Sequence, residues 1–227
     1  MKVRDIILDP TGAAVLDDYL LIADPHIGIE NSLGLRRGSN TDRVLNSLKG
    51  LNSKYGTENL VIVGDIKHGF NLKDRDLLIS FLRRTNQIFK NTYVVEGNHD
   101  NGLNLIIPTN SLEYFEYKEY IILHGHRSVD TDKFMIIGHE HPVIELSNGF
   151  RSSRYICFLE FDMVLVMPAF NNISPGNDVI ISKFSSEILT KLDRWKAKVY
   201  ISDDSEVLYA GRLGDLARKI YGEIPEI

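Results

Sequence analysis

Leu60-Val61-Ile62-Val63-Gly64-Asp65 is the stretch on which the reading of the fold turns. Four consecutive apolar residues, three of them β-branched, describe a strand buried on both faces, and the glycine and carboxylate mark its carboxyl end. The same arrangement recurs outward in both directions. Tyr19–Ala23 runs into Asp24-Pro25-His26, and Tyr93-Val94-Val95 runs into Glu96-Gly97-Asn98-His99-Asp100. Between these strands, residues 40–55 carry Val44, Leu45, Leu48 and Leu51 at helical spacing, with Ser39, Asn40 or Thr41 as N-cap and Gly56 as stop. Leu77, Leu78, Phe81, Leu82, Thr85, Ile88 and Phe89 mark a second helix behind the acidic Asp74 and Asp76. Buried strands alternating with amphipathic helices predict βαβ units with helices covering a sheet.

Toward the ends the pattern becomes mostly sheet. Short strands are expected at residues 4–8 and 13–16 around an Asp9-Pro10-Thr11-Gly12 turn. Further strands are expected at 112–117, 120–123, 133–137, 142–146, 154–158 and 163–167. A helix over 185–194, a hairpin across 202–205 and a helix over 213–221 close the chain. No internal repeat or Pro/Gly/Ser-rich linker interrupts residues 1–227, so they read as one domain.

The 227 residues carry 26 basic and 31 acidic side chains, a net charge of −5, with 43% apolar residues and one cysteine, Cys157. That apolar content excludes a disordered chain, and one thiol excludes a disulfide scaffold. The longest apolar run, near residues 158–170, is broken by Glu160 and Asp162, so no membrane span is expected. The opening MKVRDIILDP lacks the apolar stretch of a signal peptide, and the expected location is the cytoplasm. Mild acidity argues against non-specific wrapping of nucleic acid, yet leaves room for a cleft made positive by metal ions or a few cations.

All seven histidines lie between positions 26 and 141, next to carboxylates and glycines at strand ends. In open α/β sheets the carboxyl ends of strands face the ligand crevice, so distant motifs can converge there. Extended backbone would aim Asp24 with His26, and His139 with His141, to common sides. Imidazole, carboxylate and side-chain amide oxygen together suit Mn, Fe or Zn. The number of such groups is enough for two ions sharing a bridge about 3.5–4 Å apart, a pair that activates a shared water near neutral pH.

The ordered motifs D-x-H, G-D-x-x-H, G-N-H-D, H and G-H-x-H resemble those of the calcineurin-like metallophosphoesterases. The resemblance implies an α/β protein, a four-layer α/β/β/α sandwich of two mixed sheets flanked by helices. It implies that Asp24, His26, Asp65 and His141 bind one metal, and that Asp65, Asn98, His124 and His139 bind the second. Two divalent cofactor ions are expected, manganese first, with iron, zinc or nickel as alternatives. His99 would contact the phosphate and protonate the leaving oxygen, with Asp100 orienting its imidazole.

Gly64-Asp65-Ile66-Lys67-His68, the proline of Gly138-His139-Glu140-His141-Pro142, Cys157-Phe158-Leu159 and Met167-Pro168-Ala169-Phe170 with Gly176 are similar to a narrower branch. That branch contains bacterial ligase-associated DNA damage response endonucleases. It implies a phosphoester substrate, a diester in particular, with nucleic acid as a candidate partner and no membrane. The rivals are a phosphomonoesterase or nucleotide pyrophosphatase on a small metabolite, and a non-catalytic metal-binding scaffold. Arg36, Arg37 and Lys67 are candidates to clamp the phosphate, balanced against solvated charges. His68 and His126 read as groups that orient ligands, Glu140 as facing solvent or a helix end, and Cys157 as a small buried hydrophobe.

Overall fold

The structure, a computed structural model, describes residues 1–69, 74–106, 111–147, 152–171, 173–203 and 205–225. Strands β1 (Lys2–Val3), β2 (Ile6–Leu8), β3 (Ala14–Leu16) and β4 (Tyr19–Ala23) form an antiparallel meander. Helices α1 (Ile29–Ser32) and α2 (Ser39–Tyr55) lead to β5 (Asn59–Val63), and α3 (Arg75–Thr85) leads to β6 (Asn91–Val95). Helical crossovers return the chain in the same direction, so β4, β5 and β6 are parallel neighbours. After α4 (Leu103–Ile106), β7 (Ser111–Leu112) pairs parallel with β6 and completes a sheet in sequential order.

The second sheet comprises β8 (Tyr114–Tyr117), β9 (Tyr120–Leu123), β10 (Phe134–Ile137), β11 (Pro142–Ser147), β12 (Ser152–Glu160), β13 (Val164–Val166) and β14 (Asn177–Asp178), in the order β14-β11-β12-β13-β10-β9-β8. Within it β10 is parallel to β9 and β13, while β12 is antiparallel to β11 and β13. The hairpin of β15 (Lys198–Ser202) and β16 (Val207–Arg212) pairs onto β12, and α5 (Leu213–Tyr221) ends the fold. Two mixed sheets flanked by helices are thus the observed architecture. No helix of the described residues is long and apolar enough to cross a membrane.

Three apolar layers hold the sandwich together. Leu20, Ile22, Leu60 and Ile62 meet Leu45, Leu48 and Phe81 of the helices. The alternate residues Leu21, Ala23, Val61 and Val63 meet Ile122, Ile136, Phe158 and Leu165 between the sheets. Leu123, Ile137, Leu159 and Val166 point outward onto Leu213, Ala217 and Leu189. Both faces of the central strands are therefore covered, which is why the sequence shows unbroken apolar runs there instead of alternation.

Four expectations are corrected. The N-cap of α2 is Gly38, at φ 79°, because Asn40 and Thr41 turn inward to Pro25 and Glu30. Helix α3 stops at Thr85, whose carbonyl accepts the amides of both Ile88 and Phe89, folding these two apolar residues back under the sheet. The strand expected at 112–117 divides at Glu113, so β7 lies in one sheet and β8 in the other. In place of a helix over 185–194 there are 3-10 turns at Leu189–Lys191 and Arg194–Lys196. There the amides of Ser185 and Ser186 go to the Glu140 carboxylate and the Ser186 hydroxyl accepts those of Ile188 and Leu189, as at a helix start, but the backbone turns extended at Leu192, ψ 149°, and the turn ends.

Phe158 is fully buried between the two sheets. Phe158→Ala is expected to lower the unfolding free energy in urea by about 3–5 kcal/mol. A loss under about 1 kcal/mol would contradict a shared inter-sheet core.

Candidate metal centre

Parallel strands deliver their following residues to one end of the sandwich. Asp24 follows β4, Asp65 follows β5 after Gly64, and Asn98 and His99 follow β6; His124 follows β9 and His139 follows β10. The local backbone is not the extended one expected from the spacing. Asp24, His26, Asp65, His139 and His141 have φ of 50°, 45°, 44°, 71° and 47°. This left-handed region is uncommon outside glycine and costs on the order of 1–3 kcal/mol per residue. Five of the eight such residues in the described chain are thus candidate ligands, which marks the site as the place where backbone strain is concentrated.

Cross-loop hydrogen bonds hold the strain in place. The His26 amide donates to the Asp65 carbonyl at 3.1 Å, that of Ile27 to Ile66 at 2.8 Å, and that of His139 to Asp24 Oδ2 at 2.8 Å. The Asn171 side-chain amide donates to the Asp24 carbonyl at 2.8 Å. Gly97 and Gly138 serve by leaving room more than by turning the chain. A Cβ on Gly97 would run into the Asp65 carboxylate, and one on Gly138 would come within 2.6 Å of Asp24 Oδ2.

The side chains converge in two groups around Asp65. In the first, His26 Nε2 lies 3.3 Å from His141 Nε2, His141 Nε2 lies 3.6 Å from Asp24 Oδ2, and His26 Nε2 lies 3.9 Å from Asp65 Oδ2. In the second, His124 Nε2 lies 3.1 Å from Asn98 Oδ1, 3.1 Å from His139 Nδ1 and 3.5 Å from Asp65 Oδ2. Ligands held about 2.1 Å from one octahedral ion sit about 3 Å apart, so these spacings suit a cation in each group. Bare nitrogens facing each other at such distances repel unless a cation or proton lies between them. Asp24 Oδ1, His26 Nδ1 and His124 Nδ1 are also buried with no hydrogen-bond partner. His124 Nδ1 comes within 3.3 Å of Asp24 Oδ1, but out of line for a bond.

Burial pushes Asp65 up to about 8, and the nearby Asp24 charge adds to the effect. Burial likewise pushes His26 down to about 3 and His124 down to about 4. For Asp24 burial acts upward, but His141 beside it, then His124 and His26, outweigh it and hold the carboxyl at about 2. The protein alone therefore favours a protonated Asp65 near neutral pH, a proton that a divalent cation would displace.

Around these groups lie residues that fix their orientation. His99 Nδ1 lies 3.0 Å from the His68 carbonyl, which can only accept, so Nε2 is the nitrogen left facing Asp65 Oδ2 at 3.9 Å. His68 also stacks on His99, with ring planes 11° apart. Asp100, expected to orient His99, instead accepts the backbone amides of Gly97, Ile66 and Lys67 and so ties two loops together. Lys67 is buried, its ammonium bonded to the His99 carbonyl, which makes it a strut between loops. Arg36 pairs with Asp42 on the surface, and Arg37 lines a shallow hollow with Asp76 and Leu77; no described contact joins either to the histidines. His126 packs against His124 and His139.

Glu140, expected to face solvent or a helix end, is 1% exposed. Its Oε1 accepts the amides of Ser185 and Ser186 and the Ser185 hydroxyl, and that hydroxyl lies 3.2 Å from His139 Nε2. Ser174 Oγ lies 3.0 Å from His141 Nδ1. Neither serine carries a motif, so only the folded chain brings them to the site.

Residues 19–190 match the calcineurin-like phosphoesterase family, and the chain belongs to that family. It is a metal-dependent phosphoester hydrolase. Among solved structures the chain is similar to Pseudomonas putida nuclease MPE, with a TM-score of 0.64, 22% sequence identity, and coverage of 89% of this chain and 94% of that one. No curated protein matches the sequence.

The shifts set a pH profile for the metal-free protein. His26 and His124 bind protons better unfolded, so their contribution to stability grows as pH rises to about 6.5. Asp65 binds its proton better folded, so its contribution falls as pH rises from about 4 to about 8. In chelator the melting temperature is expected to peak near pH 6.5 and fall toward pH 8, with saturating Mn²⁺ stabilising most at the higher pH. Thermal scans check this; an equal Mn²⁺ effect at about pH 6 and pH 8 would contradict it.

Proposed function

We propose that the protein is a two-metal phosphodiesterase, with nucleic acid among its substrates. The observation that carries the reading is the meeting of two donor groups at Asp65 Oδ2, with His99 Nε2 beside the same oxygen. Asp24, His26, Asp65 and His141 would hold one ion, and Asp65, Asn98, His124 and His139 the other, manganese first. When bound, such ions polarise phosphoryl oxygens and lower the pKa of water. The remaining work falls to the chain. His99, held through Nδ1 by the His68 carbonyl, presents Nε2 to the leaving oxygen and delivers its proton there. Lys67 and Asp100 keep the His99 loop on the Asp65 loop, so that proton donor and carboxylate stay in register. Ser185 accepts from His139 Nε2 and passes its own hydrogen to Glu140, which leaves His139 Nδ1 as the nitrogen facing His124.

The similarity to a protein named as a nuclease supports a diester over a monoester. Residues 1–227 are read as one domain, and the buried, unpaired thiol of Cys157 accords with a reducing cytoplasm.

The role of His99 is tested by leaving group. His99→Asn is expected to slow a dinucleotide or alkyl diester by about 10²–10⁴-fold, and bis-p-nitrophenyl phosphate far less, since p-nitrophenolate leaves without a proton. Equal losses on both substrates, measured as kcat/KM with Mn²⁺, would exclude the proton-donor role.

A further inference from the structure

The chain that leaves β13 crosses from one sheet to the other beside the candidate ligands. The Met167 amide donates at 2.7 Å to the carbonyl of Ile137, which precedes Gly138 and His139 in the second sheet. Further on, the Phe170 amide donates at 2.7 Å to the carbonyl of Ala23, which precedes Asp24 in the first, and Ala169 pairs with Ala23 as an isolated bridge. The segment then returns to the second sheet, where the Asn177 amide donates to the His141 carbonyl at 2.9 Å. Gly176, at φ 68°, permits the return, since a Cβ there would run into Val143.

Asn171 stands at the turning point of this path. It is 8% exposed, and both polar atoms of its side chain are engaged. Its Nδ2 donates to the Asp24 carbonyl at 2.8 Å, while its Oδ1 accepts the amides of Ile173 at 3.2 Å and Ser174 at 2.7 Å. Ser174, fixed in this way, places its Oγ 3.0 Å from His141 Nδ1. One side chain thus reaches Asp24 directly and His141 through Ser174, and these two residues with His26 form one group able to hold an ion. Different residues support the neighbouring group: Ser185 Oγ meets His139 Nε2, and Ser186 Oγ donates to the carbonyl of Gly125, next to His124.

The two supports do different chemical work. Asp24 and His141 both hold left-handed backbone, φ 50° and 47°, a conformation that persists only where the surroundings over-determine it. The Asn171 amide supplies part of that determination at the Asp24 carbonyl. Ser174 acts on the imidazole: for His141 Nε2 to offer its lone pair to an ion, Nδ1 must carry the proton, and Ser174 Oγ is the acceptor in place for it. Asparagine suits the corner because one side chain donates in one direction and accepts in the other, whereas an ionised aspartate could only accept.

We propose that Asn171 is a positioning residue for one ion of the pair: through the Asp24 carbonyl and Ser174 it sets the affinity of the ion held by Asp24, His26 and His141, and the neighbouring ion depends on Ser185 and Ser186 instead. The inference rests on the two-metal reading above. Equilibrium dialysis of the metal-free full chain against Mn²⁺, with bound metal counted by mass spectrometry, gives a dissociation constant for each ion. In Asn171→Ala one constant is expected to rise about 10–100-fold while the other stays within about threefold of wild type. Ser174→Ala is expected to raise the same constant, and Ser174→Thr, which keeps the hydroxyl, to return it to within about threefold of wild type. Ser185→Ala is expected to weaken the other ion, so that Asn171→Ala combined with Ser185→Ala binds both weakly. Equal rises of both constants in Asn171→Ala, no rise in Asn171→Ala or Ser174→Ala, a Ser174→Thr as weak as Ser174→Ala, or one tight ion kept in the combined variant would overturn the assignment. Should Asn171→Ala fail to fold, the two Ser174 variants decide by the same criteria. A wild-type chain that binds a single Mn²⁺ would instead overturn the two-metal reading itself.

Discussion

A single buried carboxylate, Asp65, sets the terms for the rest of the site. It is 2% exposed, within 4 Å of three imidazoles, and in a left-handed backbone conformation. Taking a carboxylate out of water disfavours its charge, and no lysine or arginine reaches its oxygens among the described residues. Its Oδ1 accepts the His99 amide at 2.9 Å, leaving Oδ2 for the interior of the cluster. The neighbouring structure then follows: glycine at 97 to leave room, parallel strands to bring the histidines in, and a proton, or a cation in its place, on the carboxylate.

The two sheets divide the labour. The first supplies Asp24, His26, Asp65, Asn98 and His99, and the second supplies His124, His139 and His141. The apolar layer between the sheets therefore holds the two halves of the donor set in register, so core packing and ion affinity are coupled. The serines 174 and 185 extend that coupling outward, since each orients a histidine of the second sheet from a segment late in the chain.

Much of this was legible in the sequence. Tyr19–Ala23, Tyr120–Leu123 and Leu213–Tyr221 appear with the expected bounds, because apolar runs and helical spacing reflect burial directly. The donor residues were legible because their types are rare in such company. What escaped depends on contacts between distant segments. Glu140 reads as facing solvent or a helix end until Ser185 and Ser186, from a distant segment, fold onto it and bury it. The left-handed conformations of Asp24, His26, His139 and His141 have no local signal either, since hydrogen bonds between loops impose them. Asp100 and Lys67 differ from expectation for a related reason: both are spent on holding loops together.

The account turns on Asp65 being shared between two ions. Metal content by mass spectrometry, on protein loaded with Mn²⁺ and desalted, tests this most directly. We expect two ions per wild-type chain, and in Asp65→Asn one or none. Two ions retained in Asp65→Asn, or a single ion in the wild type, would contradict the shared carboxylate.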